Sequence, residues 1–397
     1  MCLLSSLRVP DIDHEPVMNA VRVPNYQECS RCVMDTTDPQ ITFDNAGRCC
    51  HCNEFLGKRA KHSYQGKESD LALDELCETI KRTGRHKKYD CVIGVSGGVD
   101  SSYLAYIIKE RGLRLLAVHM DNGWNSEKAV VNIKNITRKL GIDYESYVLD
   151  WEEFKNLQLS FLKASVPEAE TPTDVAIPAA LHSVAAKHGI KYILSGGNLA
   201  TEGILPKSWH YDVRDLKYFN HIHRTFGTRP LKSFPTFGYK KEIFYKIVKG
   251  MRMAYPLNEV RFVKDEAIEL LSEKFDWRPY GGKHYESIYT KFIQSYYLYE
   301  KFKIDYRRAT LSTQILTGEI DRDQAVEQLK CRPYKPQEID EAKYYIAKKL
   351  GIDREELERI MRLPPKWYWD YPNDERRLSF IYDNYRRLFK REKLDRF

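Results

Sequence analysis

A short apolar run from Tyr89 to Val95 ends in a double-glycine turn, and the turn opens a helix-patterned stretch, SYLAYIIKERG, that stops at Gly112. This strand–turn–helix unit limits the possible folds more than any other feature of the chain. The turn reads GVSGGVDSS over residues 94–102. A helix start presents unpaired N–H groups and a partial positive charge, and glycines let a polyphosphate approach the backbone closely. Ser96, Gly97, Gly98, Ser101 and Ser102 therefore read as a phosphate cradle. Asp100 does not suit an anion by itself; it suits a Mg²⁺ ion that bridges phosphates. The stretch lacks the lysine of the common P-loop and does not fit GxGxxG, so neither of those fingerprints applies.

The same alternation continues downstream. Strands are expected at Cys91–Val95, Leu115–Val118, Tyr144–Val148 and Tyr192–Leu194, and helices at Ser101–Arg111, Ser126–Leu140 and Asp174–His188. Gly112, Gly141 and Gly189 stand where those helices should stop. A further helix is expected over residues 68–86, ahead of the first strand. Strand–helix alternation at this period predicts an α/β fold, a doubly wound parallel sheet with helices on both faces. Ligands of such sheets collect at the carboxyl ends of the strands. His119, Met120 and Asp121, at the end of the second strand, are then placed to meet adenosine. Gly196, Gly197 and Asn198 make a second glycine turn after the fourth strand. From Phe262 onward the pattern becomes helical, with a breaker at CRPYKP, residues 331–336.

Nine cysteines occur, and four of them fall into a C-x2-C-x16-C-x2-C pattern: Cys29 and Cys32, then Cys49 and Cys52. That spacing lies within the zinc-ribbon range and predicts a structural Zn²⁺ held by four thiolates. Cys50 and His51 remain open as substitutes for one ligand. Cys77 and Cys91 lie on apolar faces and read as core. With 397 residues the chain exceeds one ordinary core. The expected division is an irregular N-terminal extension (1–27), a zinc-ribbon-like unit (28–66), an ATP-binding α/β domain (67–260) and a mainly helical C-terminal region (261–397).

The formal charge of +8 is unevenly placed: residues 204–264 hold 13 Lys/Arg against 4 Asp/Glu. His210, His221, His223 and several aromatics share that stretch. A positive field beside aromatics suits an anionic partner, a sugar nucleotide or a nucleic acid. No apolar run approaches the roughly 18 residues that span a bilayer, and the first residues lack the basic region of a signal peptide. The expectation is a cytoplasmic protein with no membrane partner.

Ser96-Gly97-Gly98-Val99-Asp100-Ser101 resembles the SGGxDS signature of the PP-loop ATP pyrophosphatases, the adenine nucleotide alpha-hydrolase-like group. That group includes NAD, GMP and asparagine synthetases and tRNA thiolation enzymes, which cleave ATP to AMP and pyrophosphate while adenylating a carbonyl-type oxygen. The resemblance implies that the loop takes the pyrophosphate and that backbone near Met120 reads adenine. It also implies that Glu202, where NAD-synthetase-like enzymes carry a metal-binding acid, shares Mg²⁺ with Asp100.

Four segments are similar to one branch of that group. They are CSRCVMDTTDPQITFD with the following CCHC (29–52), DNGWNSEKAVVNI (121–133), SGGN (195–198) and GGKHYESIYTKFIQ (281–294). The branch is the bacterial N-acetyl sugar amidotransferases of surface-polysaccharide (LPS O-antigen) and nonulosonic acid synthesis, the WbpG/PseA-like family. The resemblance runs from about residue 28 to 330; the first 27 residues and the last 65 or so carry none. The doubled Cys49-Cys50 departs from the pattern.

The resemblance implies an ATP-dependent conversion of an acetamido group on a UDP-linked sugar to an acetamidino group, through an O-adenylyl imidate that ammonia attacks. It further implies a separate glutaminase and a cyclase-like barrel subunit as ammonia suppliers. Residues 204–264 would hold the sugar nucleotide. Lys283, at the start of an expected helix, would reach phosphates and join Asp100 as a catalytic residue.

Two other readings compete. One is a PP-loop tRNA-modifying enzyme of the thiolation type, with ribbon and basic patch gripping RNA. The other is a non-catalytic zinc-ribbon and nucleotide-binding module. Only Cys331 follows Cys91, which leaves little for sulfur transfer, and a pI near 8.8 is modest for RNA. The intact Ser96–Ser101 loop speaks against the module. Nucleic acid is therefore not the expected partner.

Overall fold

The computed structural model describes residues 25–62, 67–280 and 285–389. Five strands form one sheet: β1 (Cys91–Gly94), β2 (Leu115–Asp121), β3 (Asp143–Val148), β4 (Tyr192–Leu194) and β5 (Arg252–Ala254). Their order is β3-β2-β1-β4-β5, and all four pairings are parallel. The chain winds outward from β1 to β3, returns, and winds the other way through β4 and β5. The direction reverses between β1 and β4, which makes their carboxyl ends the switch point where such sheets bind ligands.

Alternation along β1 shows why the strand is buried on both faces. Cys91 and Ile93 pack into one apolar cluster with Leu104, Ala105 and Ile108, whereas Val92 packs into another with Leu181, Val184 and Ala185. The first set comes from α3 (Val99–Glu110) and the second from α6 (Thr171–Lys187). Removing such side chains from water stabilises by about 1.5–3 kcal/mol each. The remaining labelled helices are α1 (Cys50–His62), α2 (Lys67–Gly84), α4 (Glu127–Lys139), α5 (Trp151–Ala164), α7 (Leu199–Glu202) and α8 (Leu216–Phe226). Ser126 caps α4 by accepting from Ala129 N, a contact that contributes about 1 kcal/mol.

All four expected strands are present. β2 runs three residues past its expected end, to Asp121, and β5 and α5 were not expected. β5 is a three-residue strand, too short for any period to register. After β5 the described chain is helical apart from its connections. No described helix is long and apolar enough to cross a membrane.

The largest apolar cluster joins Cys29, Cys32, Cys49 and Cys52 to Trp124, Phe154, Tyr289, Tyr297, Ile346 and Leu357. The cysteine unit and the C-terminal helices therefore share one core. Arg308 secures the join with ion pairs to Glu28 (2.9 Å) and Asp35 (3.0 Å). Arg322 adds contacts to the Glu28 carboxylate and to the Cys32 carbonyl oxygen at 3.2 Å.

Candidate active site and metal centre

The turn after β1 is shaped by its glycines. Gly97 has φ +81°, and a Cβ there would run into the Ala129 backbone on α4. Its carbonyl oxygen accepts from Asn132 Nδ2 at 3.2 Å and Trp277 Nε1 at 3.1 Å, both buried. Ser96 Oγ accepts from Gly98 N at 3.2 Å, and Ser101 Oγ accepts from Ser96 N and donates to the Gly98 carbonyl, each at 3.3 Å. Gly98 caps α3 with no side-chain hydrogen bond. The turn after β4 packs on this one, since a Cβ on Gly196 would sit 2.9 Å from Ser101 N.

Asp100 joins the two turns. Its Oδ2 accepts from Thr201 Oγ1 at 3.1 Å and from Asn198 Nδ2 at 3.4 Å. Asn198 also caps α7 by accepting from Thr201 N at 2.9 Å. Thr201 is a residue that the sequence reading missed. It stands three residues after the second glycine turn, but only the α7 turn brings it against Asp100, 101 positions away.

These strand ends open into a cleft of about 2470 Å³. Ser96, Gly98, Asp100, Ser101, His119, Met120, Gly196, Gly197 and Glu202 line it. Gly97, Ser102, Asp121 and Asn198 are not among its lining residues. Ser102 is buried beside the turn. His119 is buried, with Nδ1 2.9 Å from the Val95 carbonyl oxygen and Nε2 3.0 Å from Asn125 Nδ2, so it ties β2 to β1. Asp121 Oδ1 accepts from Gly123 N (2.9 Å) and Asn125 Nδ2 (3.1 Å), which fixes the loop after β2. Lys283 lies outside the described residues.

Residues from 204–264 and from the C-terminal helices also line the cleft. Part of the basic excess there is neutralised internally. Arg214 pairs with Asp212 through Nε (2.8 Å) and a terminal nitrogen (2.9 Å), lies 3.4 Å from Glu242 and stacks over Tyr382 at 4.4 Å. Burial pushes the Glu242 carboxyl up, but Arg214 and Lys246 outweigh it and hold the group below its usual range. Burial, reinforced by Glu286, pushes the Tyr280 hydroxyl beside Gly98 far up.

The four cysteine sulfurs lie within 4.8 Å of one another and are fully buried. Cys29 Sγ is 3.7 Å from Cys52 Sγ, and Cys32 Sγ is 3.7 Å from Cys49 Sγ. Backbone N–H groups point at the sulfurs: Cys49 N to Cys29 Sγ (3.2 Å), Met34 N to Cys32 Sγ (3.4 Å) and Cys52 N to Cys49 Sγ (3.4 Å). Such bonds favour thiolates. Cys50 Sγ faces Thr42 N at 3.5 Å, and His51 Nε2 lies 2.7 Å from Asp38 Oδ2, so neither belongs to the cluster. The donor set fits a soft ion in a closed tetrahedral site.

Residues 286–388 match the family model described as LPS biosynthesis protein WbpG-like, C-terminal domain, and residues 90–184 match that of the queuosine biosynthesis protein QueC. The first match corrects the expectation that the last 65 or so residues carry no resemblance. The uncharacterized protein MJ1599 of Methanocaldococcus jannaschii is 23% identical over 234 residues, 58% of this chain and 74% of its own length. The tRNA-specific 2-thiouridylase MnmA 2 of Fusobacterium nucleatum is 28% identical over 140 residues, 32% of this chain. The chain spans 40% of that thiouridylase's length. Among solved structures, the U34-tRNA thiolase NcsA from Methanococcus maripaludis, with its 4Fe-4S cluster, aligns at TM-score 0.32 and 15% identity. That alignment covers 76% of this chain and 88% of the thiolase.

Proposed function

We propose that this chain, a WbpG-like PP-loop protein, uses ATP to exchange the oxygen of a sugar-borne acetamido group for nitrogen. The substrate would be a UDP-linked acetamido sugar on the way to an LPS O-antigen or a nonulosonic acid. One observation supports the reading: a single cleft is lined both by the paired glycine turns and by residues of the WbpG-like segment.

The chemistry explains why both sets of residues are needed. An amide carbonyl is a poor electrophile, and its oxygen is a poor leaving group. The amide oxygen attacks the α-phosphorus of ATP and pyrophosphate departs, leaving an O-adenylyl imidate. Ammonia adds to the imidate carbon and loses a proton; AMP departs with the former amide oxygen, and an amidine remains. The N–H groups at the start of α3 and the hydroxyls of Ser96 and Ser101 stabilise charge growing on the pyrophosphate. Asp100 and Glu202 would hold Mg²⁺, which when bound neutralises phosphate charge. Lys283 would add a further positive charge.

Cys29, Cys32, Cys49 and Cys52 would hold a structural Zn²⁺ that leaves no open coordination position. Ammonia would come from a separate glutaminase through a cyclase-like barrel subunit, in the cytoplasm. The thiouridylase relatives favour a second reading, tRNA modification with the same ATP chemistry. The test is purified protein with ATP, Mg²⁺, ammonium and a panel of UDP-linked acetamido sugars, read by AMP formation and by mass spectrometry of the sugar. Turnover with tRNA and none with sugars would replace the first reading by the second.

A further inference from the structure

Trp209 lies between α7 and α8 and lines the cleft. It is only 2% exposed. Its indole Nε1–H is buried and has no acceptor among the described residues. An indole nitrogen is a donor only, so it is open to an acceptor oxygen brought by a ligand. The Trp209 ring lies 6.1 Å from the ring of Tyr306, tilted by 39°. Tyr306 also lines the cleft and belongs to the segment that matches the WbpG-like domain. The aromatic pair therefore bridges the seam between the nucleotide-binding part and the C-terminal helices.

We propose that Tyr306 forms the platform for the sugar ring of the acceptor substrate, with Trp209 Nε1–H donating to one of its oxygens. The assignment rests on the sugar amidotransferase reading above. A pyranose offers an apolar C–H face to an aromatic ring and a rim of hydroxyl and acyl oxygens to a donor. One buried donor beside the half-buried Tyr306 ring matches that pairing of surfaces. ATP is accounted for elsewhere, at the glycine turns, so the platform distinguishes acceptor from nucleotide.

The test measures equilibrium binding to the full-length protein, with no turnover. Wild type, Trp209→Phe and Tyr306→Ala are titrated with three probes: UDP-linked 2-acetamido and 2,3-diacetamido hexoses and uronates, UDP alone, and a non-hydrolysable ATP analogue. Trp209→Phe keeps an aromatic side chain and removes the donor. It should weaken the tightest-binding sugar nucleotide about fivefold, as expected for one neutral hydrogen bond. UDP and the ATP analogue should bind as to wild type. Tyr306→Ala should weaken the same sugar nucleotide at least as much, again sparing the other two.

Sugar-nucleotide binding that Trp209→Phe leaves unchanged would overturn the platform while leaving the amidotransferase reading standing. Equal loss for all three probes would also overturn it, by showing a purely structural role. A UDP-only loss would move the site to the uracil and overturn the sugar assignment. Wild-type protein that binds the ATP analogue but no sugar nucleotide would overturn both the platform and the reading it rests on.

Discussion

At the scale of single residues, Asp100 separates a phosphate cradle from an ordinary helix start. An acid in the first turn of a helix is favoured by the helix dipole alone, worth less than about 1 kcal/mol at an exposed position. Asp100 goes further, because Thr201 and Asn198 reach it from the opposite glycine turn. Its carboxylate is thereby fixed at the point where the β1 and β4 loops meet. Asp100→Asn preserves the shape and removes the charge. Pyrophosphate release should fall about a hundredfold or more, the scale of losing one preorganised electrostatic contact. The melting temperature should stay within a few degrees of wild type. Unchanged release in that variant would remove Asp100 from the chemistry. The motif around Asp100 was legible in the sequence because residue types and order carry it. The role of Thr201 was not, because it depends on a four-residue helix folding back over the first turn. The split among the other expected contacts was equally hidden. Met120 and Gly196 line the cleft, whereas Asp121 and Asn198 spend their polar atoms holding loops.

At the scale of elements, the β1–α3 turn is held from behind. Asn132 on α4 and Trp277, which follows the helix Lys264–Phe275, both donate to the Gly97 carbonyl oxygen. Asn132 also binds the Arg278 backbone through N (2.8 Å) and O (2.9 Å), so α4 and the 277–280 segment act as one clamp. In a trans peptide the carbonyl and the next N–H point in opposite directions. Pinning the Gly97 carbonyl therefore aims Gly98 N–H toward Ser96 Oγ and the cleft. Trp277→Phe keeps the buried ring and deletes one donor. The expected result is a KM for ATP raised about fivefold, with the KM for the acceptor unchanged. No change in either, or an equal rise in both, would contradict the clamp.

Strands β1, β2 and β4 were legible because short apolar runs follow glycine-ended helices, and β3, although polar and largely exposed, follows the glycine stop at Gly141. α5 was passed over, although Phe154, Leu157 and Phe161 carry helical spacing; the β3–β4 crossover was read as a single helix, where α5 and α6 lie in succession. The π-helical turns at Phe244–Val248 and Ile293–Tyr297 have no sequence signature to find.

At the scale of the whole molecule, the cysteine unit is part of the central packing. Its four sulfurs share an apolar cluster with C-terminal helices, and Asp38, Gln40 and His51 beside it line the cleft. Losing the metal should therefore loosen the cleft wall as well as the knuckle. Cys29→Ser should reduce bound metal to near zero and lower the melting temperature of the whole protein in one transition. A full complement of metal in that variant would exclude Cys29 as a ligand. The spacing made this unit legible; that the expected C-terminal helices, Arg307–Thr317 and Arg322–Leu329 among them, lock onto it was not, because contacts between distant segments leave no local pattern.

If the glycine turns and the WbpG-like segment that line one cleft serve one reaction, a single incubation reveals it. Wild-type protein is mixed with ATP, Mg²⁺, ammonium and the panel of UDP-linked acetamido sugars, and AMP and the sugar product are quantified together. The account expects AMP and amidino sugar in equal amounts, neither forming when the sugar is omitted. AMP formed only when tRNA is supplied, or no AMP with any acceptor, would contradict it.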